Sequence, residues 1–216
     1  MRNRLCAFGL LLAALGVSVL FARGYPSTKA QYSTELHLDA GSILCANEKL
    51  SDPNFARSVI LIVRFDPDKG AEGLVLNRQT EIPISRVFPK AKHAKDPVYL
   101  GGPVQISGVQ ALLRLTEKTA DAVQIVGDVY VTGAKELIDK SIDSEADASK
   151  FRLYLGYAGW TSGQLEAEIR MGAWSVIRGG AKIVFDPNPD SLWPRLTRES
   201  RTQIAFARFR LLPALS

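Results

Sequence analysis

Apolar residues in the body of the chain gather into short runs separated by turn chemistry. Ser42–Ala46 and Ser58–Phe65 are rich in β-branched residues and bounded by polar segments, which predicts two buried strands. Between them, Leu50-Ser51-Asp52-Pro53-Asn54-Phe55 predicts a turn, because Asp and Asn hydrogen-bond their own backbone and Pro fixes φ. Asp66-Pro67-Asp68-Lys69-Gly70 predicts a second turn, folding the latter strand back onto Gly73–Leu76 as a hairpin. Ile82–Phe88 has the pattern of one or two helical turns. Pro97–Leu100 reads as a strand stopping at Gly101-Gly102-Pro103, and Val109–Leu115 and Ala122–Val131 alternate as strands do.

The second half mixes the two periods. Ala134–Ile142 predicts a short helix with Leu137, Ile138 and Ile142 on one side, followed by a polar loop over Ser144–Lys150. Phe151–Tyr157 predicts a strand. Thr161-Ser162-Gly163-Gln164 matches a capping box, in which the first hydroxyl and the fourth side chain each satisfy a free backbone N–H; Leu165 and Ile169 then share one helix face. Ala173–Arg178 and Lys182–Phe185 are expected to form a closing strand pair around Gly179-Gly180. After the two prolines of Asp186–Asp190, a helix is expected from near Ser191. Strands interleaved irregularly with short helices suit neither a doubly wound sheet nor a pure barrel.

The chain begins differently. Arg2 and Arg4 precede Cys6–Ala22, 17 residues without a charge, which is the form of an export signal. The run is slightly long for a signal core and slightly short for a comfortable span, since crossing ~30 Å of hydrocarbon takes about 20 helical residues. The small residues that would mark cleavage, Ala22 and Gly24, bracket Arg23. Residues 1–24 are therefore expected to be either a signal peptide or an N-terminal membrane anchor, with the basic end in the cytoplasm and the body on the periplasmic side. Residues 25–36 read as a tether, 37–199 as the folded domain and 200–216 as a basic tail. Arg195–Arg210 carries five arginines against Glu199, interleaved with Phe206 and Phe209. Beside an anchored domain this stretch would touch anionic headgroups; otherwise it is a solvated terminus.

A formal net charge of +5 suggests a nucleic-acid partner until it is divided. Without Arg2, Arg4 and Arg23, 24 basic residues face 22 acidic ones, too small an excess for a phosphate-binding surface. Nucleic acid is not an expected partner. Cys6 lies in the leader, so Cys45 has no disulfide partner in the domain and is expected to pack as a small hydrophobe.

Familiar catalytic constellations are missing. His37, by the tether, and His93, in the lysine-rich loop 90–95, have no cysteine or carboxylate at ligand spacing, so no metal is expected. There is no Gly-x-Ser-x-Gly elbow, no Gly-Lys-Ser/Thr phosphate loop and no dinucleotide fingerprint, so no cofactor is expected. Gly101-Gly102 and Gly156-x-x-Gly159 suggest close backbone approach at strand ends. Asn77-Arg78 has two readings: a fork holding a carboxylate or phosphate, or a cap on neighbouring loop backbone. Gln164 and Glu168 share a helix face, which either lines a groove with Trp160 or faces solvent.

Three sets of residues together resemble the YqgE/AlgH family. Gly41-Ser42-Ile43-Leu44, the stretch from Leu50-Ser51-Asp52-Pro53 to Ile60, and Gly73-Leu74-Val75-Leu76-Asn77-Arg78 are similar to its N-terminal signature. Tyr99-Leu100-Gly101-Gly102-Pro103-Val104 is similar to its middle motif. Arg152-Leu153-Tyr154-Leu155-Gly156-Tyr157-Ala158-Gly159-Trp160, running on through Gln164–Ile169 to Ala173-Trp174, is similar to its third. The matches are in order over residues 41–193. The resemblance implies a single α+β domain, with a mixed, mostly antiparallel sheet, a small barrel-like part and flanking short helices. It also implies a bacterial, usually cytosolic protein from a family with no established reaction, labelled a regulator of alginate production on one branch. Two departures stand out: Gln79 replaces the family's proline after Asn-Arg, and the leader is unusual.

These readings lead to an uncharacterised binding or regulatory module that is not an enzyme. Its expected contact surface comprises Asn77, Arg78, Gly101, Gly102, Gly159, Trp160, Gln164 and Glu168, meeting an unknown protein or small molecule. The membrane would be reached through the N-terminal segment, the cytosol being the alternative address. Two rival functions stay open. One is a hydrolase or transferase of unfamiliar type using Glu168 or Asp52 with Arg78. The other, by family label only, is a transcriptional regulator.

Overall fold

The two continuous apolar runs become neighbouring antiparallel strands, β1 (Ser42–Ala46) and β2 (Val59–Asp66). Neither alternates with polar residues, because both faces of the sheet are covered here. Ile43, Cys45, Val59, Leu61 and Val63 enter one core with Val184, Phe185, Leu192 and Leu196. Leu44, Ala46, Ile60 and Ile62, the alternate positions, enter a second with Trp160, Leu165 and Trp174. Each fully buried Leu or Ile of this run stabilises the fold by about 1.5–3 kcal/mol. The structure is a computed structural model and describes residues 38–89, 91, 95–144 and 146–200.

The expected hairpin is present. β2 turns into β3 (Gly70–Val75), and the Asp66 carboxylate accepts the N–H groups of Asp68 and Lys69. These bonds, that from Asp68 foremost, hold its carboxyl below the usual range. The helical turn expected over Ile82–Phe88 is present as α1 (Ile84–Val87), and before it runs a strand the pattern does not announce, β4 (Gln79–Pro83). β4 is polar and largely exposed, so no apolar period announces it; its pairing with β5 (Pro97–Leu100) makes it a strand. β6 (Val104–Arg114) starts earlier than its alternation suggests and carries irregular register between Val104 and Val109. Ala122–Val131 divides into β7 (Val123–Val126) and β8 (Val129–Thr132), turning on Gly127-Asp128 with Gly127 at a φ of 57°. The expected helix is α2 (Lys135–Asp143), whose Ile138 is buried in a third core with Phe151 and Leu153.

β9 (Phe151–Trp160) is the hub. Its first half pairs antiparallel with β6 and parallel with β5, and its last residues pair antiparallel with β3. α3 (Gln164–Arg170) then leads to β10 (Trp174–Arg178), which pairs along its length with β1. The order is β10-β1-β2-β3-β9-β6-β8-β7, with β4 and β5 branching from β9. The result is a single α+β domain with a curled, mostly antiparallel sheet, as the family resemblance implied.

One expected strand is absent. Lys182–Phe185 does not pair with β10: residues 181–184 form the short helix α4 (Ala181–Val184). The free edge of β1 takes β10 instead, and Val184 and Phe185 turn into the first core. A four-residue apolar run carries too little period to separate the two outcomes. A 3-10 turn (Pro189–Ser191) follows, and residues 192–200 are helical, burying Leu196 within the arginine-rich stretch 195–210. The expected leader and tether, and residues 201–216 of the tail, lie outside the described residues. Among the described residues no helix is long and apolar enough to cross a membrane.

Candidate functional site

Asn77 follows β3 and faces the end of the 50–58 turn. Its Oδ1 accepts the Val59 N–H at 2.8 Å and its Nδ2 donates to the Arg57 carbonyl at 2.9 Å. One side chain thus makes two bonds to main chain where β2 begins, the capping arrangement of the two readings above. Next to it, Arg78 is half-buried and donates to the Pro53 carbonyl at 3.4 Å. Burial lowers its pKa and the nearby Asp52 carboxylate raises it, so the guanidinium stays charged. Asp52 itself accepts the Asn54 N–H at 2.7 Å. Asp52 and Arg78 therefore share one locale.

Glu168 is engaged by other partners. Its Oε2 accepts the indole N–H of Trp160 at 2.9 Å and of Trp174 at 2.8 Å, and its Oε1 accepts Gln164 Nε2 at 3.0 Å. Trp160 closes β9 and Trp174 opens β10, four strand spacings apart in the sheet order. In a flat sheet that separation is about 19 Å; curling brings the ring centroids to 6.1 Å. Phe55 of the 50–58 turn fills the remaining side, 6.1 Å from Trp160 and 5.9 Å from Trp174. Trp160 and Trp174 are 6% and 4% exposed, so these indoles are core and not groove wall. Gln164 also reaches back to the Thr161 N–H at 3.1 Å, one half of the expected capping box; the Thr161 hydroxyl bonds the Gln164 side chain and no backbone N–H. Glu168 is a brace with every oxygen in use.

Gly101 and Gly102 serve a backbone crossing. A Cβ on Gly101 would lie 2.2 Å from the Gly156 carbonyl oxygen, and one on Gly102 2.2 Å from the Tyr157 carbonyl carbon. Removing those side chains lets the end of β5 lie against β9, with Gly101 N–H bonded to the Leu155 carbonyl. Gly159 is exposed on β9 opposite Glu72. Hydrogen bonds from Leu100 to Arg78 and from Val75 to Gly101 place the two glycines beside the Asn77-Arg78 corner.

Three features were not foreseen from the sequence. The first is an open hollow of about 420 Å³ lined by Arg57, Asn77, Asp190, Trp193 and Pro194. Arg57 has a positive φ of 57°, and its guanidinium lies over the Trp193 ring at 5.6 Å. Trp193 is held by its N–H on the Ala46 carbonyl at 2.8 Å. The second is Arg152, 2% exposed, which donates to the carbonyls of Ala148, Val184 and Asp186 and lies over the rings of Tyr99 and Phe185. The third is Tyr154, whose buried hydroxyl has no hydrogen-bond partner among the described residues. Burial pushes its pKa far up, with the Arg152 charge pulling back. Strand alternation puts Arg152 and Tyr154 on one face, but only the third dimension tells that this face is covered. Cys45 is buried, 3.5 Å from the Thr197 hydroxyl, and burial pushes its thiol pKa up. Among the described residues no cluster of three His, Cys, Asp or Glu is placed to hold a metal ion; both histidines lie outside them.

A family model described as AlgH-like matches residues 43–205. A UPF0301 protein of Chlorobaculum tepidum is 33% identical over 162 residues, covering 74% of this chain and 86% of that one. Another, of Thermobifida fusca, is 35% identical over 187 residues, covering 80% and 94%. Among solved structures, the AlgH protein of Pseudomonas aeruginosa matches with a TM-score of 0.60 at 26% identity, over 82% of this chain and 95% of that one. A Corynebacterium diphtheriae protein matches with a TM-score of 0.63 over 75% and 87%; at 23% identity it speaks for the fold alone.

Proposed function

The chain belongs to the AlgH-like family, and from there we propose that it is a recognition module without a chemical step of its own. Its contact surface is the 50–58 turn with Asn77, Arg78 and the hollow behind them; Gly101 and Gly102 shape the neighbouring corner. The observation that carries this reading is that hollow, where Arg57 and Trp193 present a cation and an aromatic face to solvent. Arg, Trp and Tyr are the side chains that dominate contact energies when such a surface closes on a partner.

The occupancy of Glu168 supports the same view. A carboxylate already accepting from two indoles and an amide is poorly disposed to take a proton from a substrate. The hydrolase or transferase alternative is thereby reduced to Asp52 with Arg78. Regulation through DNA keeps only the family label, and the small charge excess of the body weighs against it.

A photo-reactive residue at the exposed Asn54 tests the surface. Partner capture should fall at least tenfold when Arg57→Ala and Arg78→Ala are introduced together, with the unfolding midpoint retained. Equal capture by parent and double variant would remove this surface from consideration, and turnover of a substrate by the purified domain would remove the module reading altogether. For the address, we propose that the uncharged N-terminal run carries the domain to the outer face of the inner membrane. Mass spectrometry of the mature N-terminus after fractionation should find either a chain cut near residue 24 or an intact chain in the membrane fraction. Intact chain in the soluble cytosol would sink it.

A further inference from the structure

We propose that the hollow lined by Arg57, Asp190 and Trp193 is a site for a small zwitterion, a molecule carrying both a carboxylate and an ammonium group, such as a free amino acid. This rests on the recognition reading above and adds the chemistry of what is recognised. Arg57 stands at a φ of 57°, where glycine is at ease and a long side chain is not. The Asn77 side chain enforces that backbone from both sides, bonding the Arg57 carbonyl and the Val59 N–H. An arginine held in a glycine-type backbone marks the guanidinium itself as the functional group there.

Among the described residues that guanidinium makes no hydrogen bond or ion pair; its one contact of note is the Trp193 face. The guanidinium carbon lies 5.6 Å from the Trp193 ring centroid, and with no hydrogen bond among the described residues its N–H donors are available to a carboxylate. Trp193 is fixed by its bond to the Ala46 carbonyl, so the platform is already in place. Asp190 lines the same hollow, exposed, with no hydrogen bond or ion pair among the described residues and beyond ion-pair distance of Arg57.

Two unpaired opposite charges in one hollow decide the ligand class. A simple anion drawn by Arg57 meets Asp190, and a simple cation drawn by Asp190 meets Arg57. A molecule with both charges a few bonds apart satisfies each, its carboxylate on the guanidinium and its ammonium on the carboxylate. Trp193 and Pro194 then offer an apolar wall to the rest of it. The hollow, about 420 Å³, falls in the range of small-molecule sites.

The test is calorimetric titration of the purified full chain with each free L-amino acid. At least one should bind, and blocking its amine by acetylation or its carboxylate by amidation should weaken binding at least tenfold. Arg57→Gly should abolish binding while leaving the unfolding midpoint unchanged or higher, because glycine suits the backbone there; Asp190→Asn should weaken binding at least tenfold. Blocked forms binding as well as free ones would overturn the proposal, as would binding that survives Arg57→Gly. If no amino acid binds at millimolar concentration but crosslinking from Asn54 still depends on Arg57 and Arg78, the ligand class falls and the recognition surface stands. If both experiments fail, both readings fall.

Discussion

Replacing Arg152 with leucine should destabilise the domain by about 3 kcal/mol, read as a lower urea midpoint. The competing effects are both large. Burying a guanidinium without a carboxylate costs several kcal/mol, and apolar replacement of buried ions is sometimes neutral or stabilising. Here, however, the partners are main-chain carbonyls that cannot be replaced in step. Without Arg152, the Val184 and Asp186 carbonyls stay buried and that of Ala148 partly so. Each orphaned group costs about 1–3 kcal/mol, so their sum outweighs the relief of the charge. Arg152→Lys should fall between parent and Arg152→Leu, since one ammonium cannot span three carbonyls on separate segments. Equal or higher stability of the leucine variant would show that the desolvated charge dominates. The same guanidinium anchors the 184–186 segment to β9, so loosening there should precede global unfolding in hydrogen exchange.

The Glu168 brace gives the second large effect. Glu168→Ala should cost about 2–4 kcal/mol, because two indole N–H groups lose their acceptor among the described residues inside an aromatic cluster. Glu168→Gln should cost about 1 kcal/mol: its oxygen still serves both indoles, but its amide then faces the Gln164 amide. The near-ultraviolet circular dichroism of Trp160 and Trp174 should change in the same order. A midpoint unmoved by Glu168→Ala would mean the indole bonds do not stabilise the curl. Lost ligand binding at unchanged stability would return Glu168 to the list of contact residues.

Much of the fold was legible because its signals are local. Asp66 organises its hairpin with its own neighbours, and Gln164 reaches back to Thr161 within one turn. The candidate site was less legible. Asn77 drew notice for its position at a strand end, and both readings of it were open; that Val59 and Arg57 lie opposite is a fact of the β2–β3 pairing. Gln164 and Glu168 share one helix face next to Trp160, as their spacing suggests, but Trp174 and Phe55, which change a groove into a core, come from another strand and a turn. Asp190 and Trp193 are three residues apart, but Arg57 is far from both in the chain, and no motif links the three.

By itself the amino-acid sequence determined the principal strands, the turn chemistry between them, the glycine positions and the family, each of which depends on neighbours a few residues away or on ordered motifs. Tertiary structure alone decided which edge β1 offers to β10, that residues 181–184 coil into a helical turn, that Arg152 faces inward and that the Glu168 carboxylate joins two distant indoles. The reason is physical. Period and turn propensity act over a few residues, whereas strand partnership and the covering of a face are settled by the free energy of burying the whole sheet at once.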